Sequence, residues 1–219
     1  MGQTMMRRIL AGALRTNCYL IYNEETKETL IIDPADEADK IGRIVEENSL
    51  RPAAILLTHG HFDHIGAVSG LKERYGCEVY CLGEEKELME NMAYNLSSMF
   101  SGGFTVTPDE LLKDGDELSL AGFHIRVIAT PGHTKGSCCY YFPEDRFLMS
   151  GDTLFEESVG RSDFPTGSAQ ALVRSIREKL FVLPDDTPVY TGHGEPTTIG
   201  HEKRYNPAAG VQYDRNTTE

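Results

Sequence analysis

The run Thr58-His59-Gly60-His61-Phe62-Asp63-His64 packs four potential metal ligands, three imidazoles and one carboxylate, into six positions. It takes three of the chain's seven histidines, which a polar turn with chance histidines explains poorly. Neutral imidazole and carboxylate suit zinc, iron or manganese. No thiolate lies in the run, which argues against a purely structural zinc.

Ligands must be held by something rigid. The run follows Ala53-Ala54-Ile55-Leu56-Leu57, an unbroken apolar stretch that predicts a buried strand. Ile65 to Leu71 then predicts the opening turns of a helix. The ligands are therefore expected on a strand-to-helix loop, where catalytic groups are commonly mounted. Three later positions share that context: His133 in Thr130-Pro131-Gly132-His133-Thr134, Asp152 in Ser150-Gly151-Asp152-Thr153, and His193 in Thr191-Gly192-His193-Gly194. Each follows a predicted β segment and sits in a glycine-containing turn. Strand ends converging on one edge would bring all three to the first loop, and small neighbours let the backbone approach an ion closely. The seven groups suffice for two metal ions, each with a position open to substrate.

The remaining elements follow from periodicity and turn signals. Arg8–Ala11, Cys18–Tyr22 and Thr29–Ile32 read as strands, the last two joined as a hairpin through the polar turn at 23–27. Ala38 to Asn48 reads as a helix with Ile41, Ile44 and Val45 on one face. Glu78–Leu82 is a further strand, and Glu84 to Met99 is expected to be partly helical, its Met and Tyr stripe buried in the core. Residues 97–104, rich in glycine and carrying two phenylalanines, read either as a loop over the site or as a connector. A second run of strands covers Glu117–Leu120, Phe123–Ala129, Ser137–Phe142 and Arg146–Met149, followed by a loop from Gly151 to Gly167. Ser168 is the expected N-cap of a helix to Leu180, Pro188–Thr191 is the last strand, and Thr198–Arg204 a closing helix. The order of elements is roughly duplicated, which two packed sheets covered by helices on both outer sides would satisfy.

At 219 residues without a linker-like stretch, one domain over residues 1–219 is expected. No apolar run is long enough to span a membrane, and the opening residues form neither a signal peptide nor an anchor. A formal charge of −13 without a local basic patch opposes nucleic-acid binding. Five cysteines, an odd number lacking a Cys-x-x-Cys pair, suggest packing roles and a reducing cytoplasm rather than a disulfide framework. His124 and His201 fall outside the ligand pattern and are expected to be surface or satisfied core residues. The oligomeric state is not legible.

As an ensemble, Asp33-Pro34, the His-x-His-x-Asp-His run, His133, Asp152 and Gly192-His193-Gly194 resemble the metallo-β-lactamase superfamily. Within it they are most similar to the glyoxalase II-like (hydroxyacylglutathione hydrolase-like) branch, over nearly the whole chain. The resemblance implies an α/β fold, a four-layer αββα sandwich with the site at one edge between the sheets. It implies two divalent metal ions, zinc first and iron or manganese as alternatives. His59, His61 and His133 would hold one ion, Asp63, His64 and His193 the other, and Asp152 would bridge them. Asp33 looks like the family's strand-end aspartate that supports a ligand from behind, although an Asx turn before Pro34 accounts for it equally well. The stretch after His193 resembles compact members that lack the helical C-terminal domain with its basic glutathione-binding residues.

The function this implies is hydrolysis of small acyl thioesters, S-lactoylglutathione or a related compound, to a hydroxy acid and a thiol. Asp63 and Asp152 would be the catalytic carboxylates, Asp63 orienting the nucleophile. A thiolate leaves with little acid assistance, since a thiol's pKa is about 8–9. Family β-lactamases generally lack an aspartate like Asp152, ribonuclease Z-like nucleases sit badly with the acidic balance, and flavodiiron-type reductases usually carry Glu where this chain has His61. The competing reading is a persulfide dioxygenase-like iron oxidoreductase, whose family has a segment similar to residues 160–164. A small-molecule partner is implied throughout. The charge of two ions against Asp63, Asp152 and a hydroxide predicts a locally positive pocket drawing a substrate with an anionic end. Arg161 would either add a contact to that end or pair with Asp163 or Glu157.

Overall fold

The computed structural model describes residues 2–210; residue 1 and residues 211–219, the two ends of the expected domain, lie outside the described residues. A first sheet contains β1 (Thr4–Ala11), β2 (Thr16–Asn23), β3 (Glu28–Ile32), β4 (Arg51–Leu56), β5 (Glu78–Leu82) and β6 (Glu110–Leu112), in that spatial order. β1, β2 and β3 pair antiparallel, whereas β3 to β6 run parallel. A second sheet contains β7 (Glu117–Leu120), β8 (Phe123–Ala129), β9 (Cys138–Phe142) and β10 (Phe147–Gly151). A small hairpin, β11 (Leu154–Phe155) with β12 (Ser158–Val159), stands apart. The second sheet is completed by β13 (Pro188–Thr191) and β14 (Thr197–Thr198), giving the order β14-β13-β10-β9-β8-β7.

Alternation of side chains across each strand sorts the apolar residues into three layers. Tyr19, Ile21, Leu30, Ile32 and Leu56 of the first sheet meet Ile125, Val127, Tyr140, Phe142 and Met149 of the second. Their neighbours Leu20, Ile31 and Ile55 face outward, onto Ile41 and Val45 of α1 (Ala38–Glu47). The same outer layer takes Ile65 of α2 (Phe62–Ile65), Val68 and Leu71 of α3 (Val68–Tyr75) and Met89 of α4 (Lys86–Met89). After α5 (Ser97–Phe100) the chain enters the second sheet, whose outer residues Cys139, Leu148 and Val189 pack on α6 (Ala169–Ser175), its π-helical continuation Ile176–Leu180, and α7 (Ile199–Tyr205). The result is the expected αββα sandwich. The central strands β3 and β4 are apolar on both faces because both are covered.

The caps behave as their residue types dictate. Ser168 accepts a hydrogen bond from the Ala171 amide and Thr198 from the His201 amide, closing the first turns of α6 and α7. As expected, 84–99 is helical only in part, with α4 and α5 separated by a turn. Of its Met and Tyr stripe, Met89 is buried, but Met92, Tyr94 and Met99 are exposed. Four such residues cannot share one buried face once the helix is interrupted. β6 and the β11–β12 hairpin, too short to show periodicity, were not expected.

Candidate metal centre

The parallel strands β3 and β4 end at one edge of the sandwich, and β10 and β13 of the second sheet end beside them. Asp33 follows β3, the His59 run follows β4, Asp152 follows β10 and His193 follows β13. One correction concerns the run itself. His61 is the N-cap of α2, so Asp63 and His64 sit on a helical turn rather than in a loop. The Phe62 amide donates to the Asn95 carbonyl at 2.8 Å and the His64 amide to the His61 carbonyl at 2.9 Å, which closes that turn inside the motif.

Three imidazoles converge first. His61 Nδ1 lies 2.9 Å from His133 Nε2, and His133 Nε2 lies 3.1 Å from His59 Nε2. Beside them, Asp63 Oδ2 lies 3.2 Å from His193 Nε2 and 3.7 Å from His64 Nε2. Asp152 stands between the two groups. Its Oδ2 is 3.6 Å from both His133 Nε2 and His193 Nε2, and its Oδ1 is 3.4 Å from His64 Nε2. All seven residues expected as ligands are therefore brought together.

The outward ring nitrogens fix the tautomers. His133 Nδ1 donates to the Arg161 carbonyl at 2.6 Å, and His64 Nδ1 to Asp33 Oδ2 at 3.0 Å. The Thr58 hydroxyl donates to Asp33 Oδ2 at 2.6 Å, leaving its lone pair to accept from His59 Nδ1 at 3.2 Å. In each case Nδ1 is engaged outward, so Nε2 is the nitrogen that faces inward, as a metal requires. Asp33, with Oδ1 also taking the Thr58 amide at 2.7 Å, thus orients two histidines. Asp33, His59 and His64 are also close enough to form a triple, but both Asp33 oxygens are already engaged.

Converging lone pairs repel one another, and His64 Nε2 and Asp152 Oδ1, both facing the cluster, are buried without hydrogen-bond partners. Orphaned polar atoms of this kind are costly unless a cation meets them. The donor set fits divalent metal ions. Burial, and then the neighbouring imidazoles His64 and His133, hold His59 well below the usual histidine range. Burial and His133 bring His61 down to about 3, so this triple is neutral and able to ligate at pH 7. Burial also opposes charge on His64, but Asp152 and Asp63 outweigh it and hold His64 well above its ordinary value. The same pairing holds both carboxylates low against their burial.

Sequence reasoning missed Glu85. It is fully buried, and its carboxylate accepts from the Gly60 amide (2.8 Å), the Thr134 hydroxyl (2.9 Å) and the Gly136 amide (2.9 Å). It ties the turn holding His59 and His61 to the turn holding His133. Burial pushes it up to about 7 in spite of these donors. Asn17 was missed too: its side-chain amide donates to the Thr191 and Gly194 carbonyls at 2.9 and 3.0 Å, holding the His193 turn. In sequence, one is a charge in a polar turn and the other a strand residue.

A cavity of about 530 Å³ lies over the cluster. Phe100 of α5 borders it and stacks on Phe62 with ring centroids 5.2 Å apart, so the 97–104 segment borders the site. Arg161 also lines it, but its guanidinium pairs with Asp163 at 2.7 and 2.9 Å, one of the two arrangements expected. His124 and His201 join neither cluster and pair with Glu117 and Glu157. The cysteines are buried and free, and burial raises their thiols, as packing roles require.

A paired His/Asp centre at the edge of an αββα sandwich is the build of a metallo-hydrolase. The chain belongs to the metallo-beta-lactamase superfamily, whose family model matches residues 11–193. It is 39% identical over 198 residues to a protein of Haemophilus influenzae named hydroxyacylglutathione hydrolase GloC, covering 89% of this chain and 93% of that one. Among solved structures it is similar to BLEG-1, described as a B3 metallo-beta-lactamase (41% identity, TM-score 0.88, 93% of this chain and 98% of that one). It is also similar to TTHA1623 in a di-iron-bound form (38%, 0.81, 92% and 98%) and to ETHE1 from Myxococcus xanthus (32%, 0.78, 95% and 86%).

Proposed function

We propose that the protein is a binuclear metal-dependent hydrolase of small acyl thioesters, S-lactoylglutathione among them. One observation carries the reading. Among the residues lining the cavity, the only titratable side chains are candidate ligands and the ion-paired Arg161, so no spare general acid faces the substrate. A leaving group must then depart unprotonated, which a thiolate does far more readily than an amine or alkoxide. The likeness to GloC supports the same substrate class.

The His59–His61–His133 and Asp63–His64–His193 groups would hold divalent ions, whose Lewis acidity would make water nucleophilic near neutral pH and polarise a carbonyl. Asp63, whose Oδ2 takes a hydrogen bond from the Thr16 hydroxyl at 3.2 Å, orients the attacking water. Asp152 faces both groups and fixes their spacing. Zinc is the first metal proposed, while the di-iron form of TTHA1623 keeps iron in view. The free, buried cysteines support a reducing cytoplasm as the working compartment.

The second reading, a persulfide dioxygenase-like iron enzyme, draws on the likeness to ETHE1. Metal analysis, thiol release from lactoyl thioesters and oxygen uptake with a persulfide decide between them. Two ions per chain with thiol release is expected. One iron with oxygen consumption and no thiol release would replace the hydrolase reading, and turnover of a β-lactam alone would move it toward BLEG-1.

A further inference from the structure

The cavity walls say more about the acyl group than the metal centre does. Leu14, Phe62 and Phe100 come from the 12–15 turn, α2 and α5, and Phe155, Val159 and Phe164 from the β11–β12 hairpin and the loop after it. Leu14 and Phe100 are 54% and 60% exposed, and Met99 beside them 71%. Clustered apolar side chains left in water at the mouth of a cavity mark a binding surface. The lining side chains add no free cation to whatever charge bound metal ions bring. Arg161, the one cation among the lining residues, is held by both oxygens of Asp163, and its guanidinium lies 4.2 Å over the Phe164 ring. An adjoining cavity of about 320 Å³ shares Leu14, Phe62, Asp63 and Phe100, adds Asp36, and is lined by no Lys or Arg.

From this we infer that the site selects thioesters with an apolar, uncharged acyl group, seated on the Phe62–Phe100 stack, over those with an anionic end. The inference rests on the thioesterase reading and deepens it. The scissile carbonyl takes the polar end of the cavity, at Asp63, Asp152 and His193. The rest of the acyl chain then lies against aromatic faces away from the metal ligands, where a carboxylate would lose water without gaining a free cationic side chain. Each added methylene buried there should raise kcat/KM about three- to fourfold until the cavity is filled.

The test uses the metal-loaded protein and thioesters of one neutral thiol, N-acetylcysteamine. Acetyl, butyryl and hexanoyl esters should show rising kcat/KM, chiefly through KM, with the succinyl ester at least tenfold below butyryl. Phe100→Ala should flatten the series and Phe100→Leu restore most of it, both with unchanged metal content. Calorimetric binding of the matching S-alkyl thioethers, which cannot be hydrolysed, should follow the same order. A flat series, or succinyl preferred over butyryl, overturns the inference while leaving the thioesterase reading standing. Failure to hydrolyse any thioester removes the thioesterase reading instead, and the thioether series then decides the apolar seat by itself.

Discussion

Asp33 is one buried carboxylate on which two candidate ligands depend. It adopts the left-handed backbone region, φ 46°, which disfavours a residue with a Cβ, and three hydrogen bonds hold it there. Asn at this position offers one acceptor oxygen in place of two, so either the Thr58 amide, or the Thr58 hydroxyl and His64 together, lose their acceptor. Asp33→Asn should weaken metal binding about 10–100-fold, in the range of outer ligand supports. Asp152→Ala, which removes the group facing both clusters, should lose far more, and competition against a chelator ranks the two. Equal, mild effects would reduce Asp152 to a turn residue. Glu85 makes a different prediction, through pH. Its pKa is raised from 4.5 to about 7, so the folded state holds a proton that the unfolded chain has released. The associated stability, ~3 kcal/mol, is present in full below pH 4.5 and is lost as pH rises through about 7. Urea unfolding at pH 5 and pH 8 should show this loss in the wild type and not in Glu85→Gln; parallel behaviour of the two proteins would exclude it.

At the scale of elements, the decisive features are the tight turns that follow β10 and β13. A Cβ on Gly192 would collide with Asp152 Oδ1 and come within 2.8 Å of His64 Cε1. Gly192→Ala should therefore leave the sheets intact by circular dichroism and lower the metal content from two ions toward one. Gly83→Ala is the control, since its nearest non-neighbour atom would be an ordinary 3.6 Å away. Loss of metal in both variants, or in neither, would mean that the β13 turn does not set the ligand spacing.

The two sheets share an inner core, and at one edge they also share the candidate site. His59, His61, Asp63 and His64 belong to the first sheet and its helix, and His133, Asp152 and His193 to the turns of the second. Metal bound between them would tie sheet to sheet and would have no preformed site in the unfolded chain. Each ion at a thousandfold excess over its Kd would add about 4 kcal/mol. For a chain of this size, roughly 10 °C of Tm per ion should vanish on chelation. Scanning calorimetry with and without a chelator measures it, and His193→Ala should retain only part of the shift. No shift in the wild type would show that the cluster does not bind metal across the two sheets.

What the sequence determined by itself is local or chemical. Apolar runs between turn residues marked the strands, the Ser168 cap marked a helix start, and ligand-type residues at the ends of β segments marked the site. These signals survive in one dimension because each depends on a few neighbouring residues. The tertiary structure alone decided the partners. Nothing near Glu85 in sequence reveals that it receives hydrogen bonds from residues 60, 134 and 136, and nothing near Asn17 that it holds the turn at 191–194. Asp33 was equally an Asx turn until folding set it against Thr58 and His64. The sequence left the side chain of Arg161 between an anion contact and an ion pair, and folding chose the pair with Asp163, while its backbone carbonyl orients His133. Such roles rest on contacts between residues far apart along the chain, and packing the two sheets face to face, with their strand ends at a common edge, is what creates them.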